Sequence, residues 1–200
     1  MKSSVYFNLS LFCLLLAGTV FTLPASVAAT PSIVTVLPFD IHADKNINYV
    51  KKGISRMLYS RLSWPDKVKV IPPGKTASLT KGHENLPPKE KIQTVAAQTE
   101  SQYVITGSIT QFDGFFSIDA KIFDIPKERY MGFSQISENP DDLIAKVDRI
   151  AAAVNQKVFE RTTVTWQEMK KEGRQKLAEF KRKHPEHLMK LPPGMHQSNE

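Results

Sequence analysis

Cysteine is almost missing from these 200 residues, and the one present, Cys13, lies in an apolar run near the amino terminus. A lone cysteine closes no disulfide within its chain and supplies no thiolate pair for a structural metal. Glycine is sparse too, at 9 residues, and the motifs that depend on glycine are incomplete. Gly107-Ser108 continues into Ile109-Thr110, so the Gly-x-Ser-x-Gly elbow that exposes a nucleophile is absent. Gly74-Lys75-Thr76 has Lys69 where a phosphate loop needs glycine, and Pro72 and Pro73 remove two N–H donors from the place where the loop would wrap. His184 and His187 flank Pro185-Glu186 and lack the His-Glu-x-x-His spacing of zinc proteases. No cofactor or metal is expected.

Long apolar runs are also few. Leu9–Phe21 is short against the roughly 20 residues of a spanning helix. With Lys2 ahead of it and Val27-Ala28-Ala29 after it, residues 1–29 read as a signal peptide cleaved after Ala29, which removes Cys13. The expected location is the periplasm or the outer membrane. Lys and Arg exceed Asp and Glu by 27 to 20. Residues 161–200 hold 9 basic and 5 acidic side chains, a net +4, so most of the excess belongs to the carboxyl-terminal part, and an electrostatic partner is sought there.

What is present in strength is hairpin chemistry. Asp113-Gly114 separates two alternating runs across Tyr103–Ile125. Counting back pairs Phe112 with Phe115, Ile109 with Ile118, Gly107 with Ala120 and Ile105 with Ile122, and these are read as a buried face. Thr110 with Ser117, Ser108 with Asp119 and Thr106 with Lys121 form the wet face. Gly107 opposite Ala120 leaves a shallow place for a helix to approach.

Around the hairpin, Ser32–Phe39 reads as a strand covered on both faces. A helix follows over about 47–63, a strand over 67–71, and a helix opened by Pro88 and running to about Thr99. A third meander strand is expected over 130–137, and a helix from Asn139-Pro140-Asp141-Asp142 to about Phe159. The order β-α-β-α-β-β-β-α gives an α/β fold, a mixed sheet of about five strands with helices packed on it. This body occupies 30–160. A basic amphipathic helix follows within 161–186, with a Thr165-x-x-Glu168 capping box, and 187–200 is expected to be disordered.

Two places carry candidate chemistry. In the basic helix, Trp166, Met169, Leu177 and Phe180 form a narrow apolar seam, suited to a partner helix, a groove or a membrane surface. Lys170, Lys171, Arg174, Lys176, Lys181, Arg182 and Lys183 beside it suit an anionic headgroup or another acidic partner; export argues against nucleic acid. The second place is Asp40, His42 and Asp44, past the carboxyl end of the first strand, where open α/β sheets tend to bind ligands. Two carboxylates and an imidazole there define an alternative, a periplasmic enzyme.

The string Val34-Thr35-Val36-Leu37-Pro38-Phe39, then Tyr49, Gly53-Ile54, Leu58 and Leu62, and finally Tyr103 to Ile109, resembles the TolB amino-terminal-like domain. It is similar also to modules in CsgG-like curli-export and FlgO-like flagellar envelope proteins, and the likeness is strongest to secreted proteins in which this domain precedes a VCBS (FG-GAP) propeller. The resemblance covers about 32–160. It implies a mixed α/β module of the bacterial envelope, non-catalytic, that binds or scaffolds a protein partner. In place of a propeller, this sequence has the basic helix.

Overall fold

Asp113-Gly114 does close a two-residue turn, with both residues at positive φ (44° and 85°). The computed structural model describes residues 30–43, 46–83 and 86–185. The expected signal segment and the tail 187–200 lie outside those residues. Strands β1 (Ser32–Val36), β2 (Asp40–His42), β3 (Val68–Val70), β4 (Tyr103–Phe112), β5 (Phe115–Asp124) and β6 (Arg129–Ser137) form one mixed sheet. Its order is β3-β1-β4-β5-β6, with β2 also paired to β4. The pairs among β1, β2, β3 and β4 are parallel and the meander β4-β5-β6 is antiparallel. The sheet thus has six strands where about five were expected.

The helices are α1 (Asn48–Leu62), α2 (Pro73–Thr80), α3 (Pro88–Thr99), α4 (Leu143–Phe159) and α5 (Val164–Lys183). A 3-10 turn, Pro140–Asp142, precedes α4, and the Asn139 side chain accepts a hydrogen bond from the Asp142 N–H at 3.1 Å, occupying one of the free donors of a helix start. Helices α1 and α4 cover one face of the sheet over Val34, Val36, Ile105, Ile109, Ile118 and Ile122. Truncating one of these buried side chains to alanine costs about 2–5 kcal/mol. Helix α3 covers part of the other face, over Leu37, Val104 and Phe123. Behind it Thr35, Thr99 and Ser101 join their buried hydroxyls at 2.8–3.0 Å.

The sixth strand comes from an irregularity. Val36 stands beside Ile105 and Asp40 beside Ser108, so Leu37, Pro38 and Phe39 oppose only Thr106 and Gly107. This is a one-residue bulge, at a proline that has no N–H for the ladder. It changes the phase of the alternation. Val34 and Val36 face α1 and α4, Leu37 faces α3, and after the extra residue Phe39 faces α1 and α4 again. Asp40 and His42 are thereby sent to the opposite face.

Two expectations from the hairpin need correction. The register is as counted, but positions 112 and 109 differ in parity, so Phe112 and Phe115 belong with Thr110 and Ser117. They are exposed, Phe112 at 79%, and Phe116 takes the buried position beside Gln111. The shallow place at Gly107 is filled by the Phe39 ring and not by a helix.

Candidate functional site

Helix α5 starts two residues earlier than the expected capping box. Thr163, not Thr165, is the N-cap, its Oγ1 accepting from the Trp166 N–H at 3.2 Å. The third helical position is then Trp166, so Glu168 is not placed to complete a capping box. Just before the cap, the Arg161 guanidinium lies 5.3 Å from the centre of the Trp64 ring and donates to the Ser63 carbonyl at 3.2 Å. The chain turns here and α5 runs back along α4.

The apolar seam divides into two parts. Trp166 and Met169 are half-buried, and Glu172 accepts from Arg149 of α4 at 2.9 Å. At Gly173, the next seam position, a Cβ would meet open space. Leu177 is 54% exposed and Phe180 49%, the Phe180 ring lying 4.7 Å from His184. Lys170, Lys171, Arg174, Lys176, Lys181, Arg182 and Lys183 are exposed, and Lys183 pairs with Glu179 one turn back at 2.7 Å. One half of α5 is therefore docked, and the other presents an apolar pair among cations.

The second region is the part of the sheet that α3 leaves open. Rows across the strands run Asp40, Ser108, Asp119, Ser134 and then His42, Thr110, Ser117, Ile136. Asp40, His42, Ser108, Asp119, Lys121 and Tyr130 line a trough of about 560 Å³ beneath Pro88 and Ile92 of α3. Ser117 donates to the Asp119 carboxylate at 3.0 Å. The structure thus brings Asp40 and His42 together; Asp44 lies outside the described residues. Asp119 and Lys121 were not matched to them from sequence, because that needs the parallel pairing of β2 with β4.

Asp40, His42 and Lys121 are exposed. Among the described residues, no three His, Cys, Asp or Glu side chains are grouped to hold a metal. Among the described residues, the most buried carboxylate is elsewhere. Asp124, at the end of β5, accepts from the Lys127 N–H at 3.2 Å and lies 3.6 and 3.8 Å from the Lys127 and Arg129 side chains. That arrangement ties the β5–β6 turn.

The architecture is a mixed sheet partly sandwiched by helices, with one half-docked basic helix and one open sheet face. No family model and no curated protein matches the chain. Similar solved structures include TolB from Acinetobacter baumannii (15% identity, TM-score 0.39, covering 66% of this chain and 28% of TolB). They include the LpoB carboxyl-terminal domain from Escherichia coli (10%, 0.42, covering 57% and 88%). A third is the hypothetical protein CT253 from Chlamydia trachomatis (15%, 0.44, covering 66% and 100%). TolB, to which the sequence motifs point, is thus among the neighbours, although the match spans little more than a quarter of its length. With TM-scores below 0.5, none of these likenesses bears on what the chain does.

Proposed function

We propose that this chain is a non-catalytic binding module of the bacterial cell envelope, engaging a protein partner along the distal half of α5. The observation that carries the reading is the divided seam: Trp166 and Met169 anchor the helix, while Leu177 stays 54% exposed beyond the anchor. An amphipathic helix face of this kind fits a hydrophobic groove, and Lys170, Lys171, Arg174, Lys181, Arg182 and Lys183 fit a groove with an acidic rim. The envelope location rests on Lys2, Leu9–Phe21 and Val27-Ala28-Ala29, read as an export signal. No described helix is long and apolar enough to cross a membrane. In this reading 1–29 is the signal, 30–160 the body, 161–186 the contact helix and 187–200 a tail.

The test is cross-linking in intact envelopes from a photoreactive residue at position 177 of the full chain. One protein adduct, lost with Leu177→Asp and kept at high salt, is the expected result. Adducts to lipid alone, lost in salt, would replace the protein partner with an anionic membrane surface. The shared trough favours one other reading, an enzyme using Asp40, His42 and Asp44. Adducts from position 121 and none from 177 would move the site there, and turnover lost with Asp40→Asn would make it catalytic.

A further inference from the structure

Strand β6 ends the sheet, and among the described residues no strand pairs with its outer edge. Soluble proteins usually protect such an edge with lysine, proline, an inward charge or a very short strand. Only Arg129, at the first position, comes close to one of these: β6 is 9 residues long, and from Tyr130 to Ser137 it holds neither a charge nor a proline. Its exposed face carries two large apolar side chains, Tyr130 at 49% and Ile136 at 64% exposure, with Gly132 and Ser134 between them. On the other face Met131, Phe133 and Gln135 are half-buried, with α4 packed against the strand.

We propose that β6 is an interface between two copies of this chain, paired antiparallel across a two-fold axis at Phe133 so that the two sheets become continuous. A two-fold axis normal to the sheet keeps each face on its own side, so only residues of the same parity stand opposite each other. Tyr130 and Ile136 are equidistant from Phe133. Centring on Phe133 therefore sets each Tyr130 against the second copy's Ile136, and Gly132 against Ser134. The two exposed apolar side chains cover each other, a favourable cross-strand pair.

Charge agrees with the direction. Lys127 and Arg129, with Glu128 between them, stand at the start of the strand, and Glu138, Asp141 and Asp142 follow its end. Antiparallel pairing brings Lys127 and Arg129 of one copy near Asp141 and Asp142 of the other, while Glu128 falls opposite Glu138, a like-charge pair just beyond the strand ends. Asp124 already lies near both cations, but at 3.6 and 3.8 Å and with their side chains largely exposed, so each can face a second carboxylate. Helix α5 packs on α4 and reads out a separate surface.

The test is light scattering on residues 30–200, the chain left after the expected cleavage, combined with register trapping; this chain has no cysteine of its own. A Cβ at Gly132 meets open space, so cysteine is accommodated there. The expected mass is twice that of the chain, falling to a single chain in Ile136→Lys. A short bis-maleimide reagent should join a Gly132→Cys chain to a Ser134→Cys chain in a mixture, at least tenfold faster than it joins either variant to itself. A single-chain mass for the unsubstituted protein at 100-micromolar order overturns the proposal, as does a dimer that persists in Ile136→Lys. Self-joining of Gly132→Cys or of Ser134→Cys as the dominant product overturns the Phe133-centred pairing. A monomer that binds an added extended peptide along β6 overturns the second copy as occupant.

Discussion

The ring of Phe39 lies directly on Gly107: a Cβ built there would stand 2.5 Å from Phe39 Cε1 and closer still to the Asp119 carbonyl oxygen. The bulge at Pro38 delivers Phe39 to that spot, and the missing side chain on β4 lets it close the core. Gly107→Ala is therefore expected to lose about 2–3 kcal/mol in urea unfolding, an overpacking cost. Adding Phe39→Ala should not restore stability, since the Asp119 carbonyl is a backbone atom and cannot swing away. Recovery in the double variant would show that the ring is the only obstacle.

Tyr103 packs edge-on against Phe159, with ring centres 5.4 Å apart. Burial pushes its hydroxyl pKa up, the Asp124 charge adds to this, and Arg129 partly opposes it. A raised tyrosine pKa means that above about pH 10 the unfolded chain releases its proton first. The native state then binds more protons, and stability falls as pH rises through the folded-state value. Urea midpoints between pH 8 and 11 should decline more steeply in the unsubstituted chain than in Tyr103→Phe. Parallel curves would refute the shift.

The docking of α5 is local. Glu172→Gln should cost less than about 1 kcal/mol of global stability, as a partly exposed ion pair does. Trp166→Ala removes half-buried area and should cost about 1–2 kcal/mol. Both should speed tryptic cleavage among Lys170, Lys171, Arg174 and Lys176 while the sheet resists. Equal acceleration throughout the chain would mean that α5 belongs to the cooperative core.

Thr35 is fully buried, and its hydroxyl bonds both Thr99 and Ser101. Thr35→Val keeps the shape and removes these bonds. A loss of about 1–2 kcal/mol in thermal or urea unfolding is expected. A neutral result would mean that Thr99 and Ser101, 2.8 Å apart, satisfy each other without it.

How far the sequence could be read follows from what each element depends on. The β4–β5 register was legible because Asp113-Gly114 marks the turn and the alternation admits one pairing. Phe112 and Phe115 fall on the wet face because position 112 lies an odd number of residues from 109. Strand β2 was hidden because Asp40-Ile41-His42 has the look of a polar loop, and only its parallel pairing to β4, far along the chain, makes it a strand. For the same reason Asp119 and Lys121 could not be matched to Asp40. At the start of α5, Thr163 and Thr165 both satisfy the rule for a capping residue, and the rule cannot choose between them. The seam was visible by spacing alone. Its division at Gly173 was not, because that depends on where α4 lies.

The docked half of α5 also sets a distance. A 20-residue helix extends about 30 Å at 1.5 Å per residue, so the stretch from Gly173 to Lys183 reaches about 16 Å past its last anchor at Glu172. A partner that met Leu177, as proposed, would be held at a fixed standoff and heading from the sheet, as if by a ruler clamped at one end. Loosening the clamp at Trp166 would leave the grip intact and lose the aim.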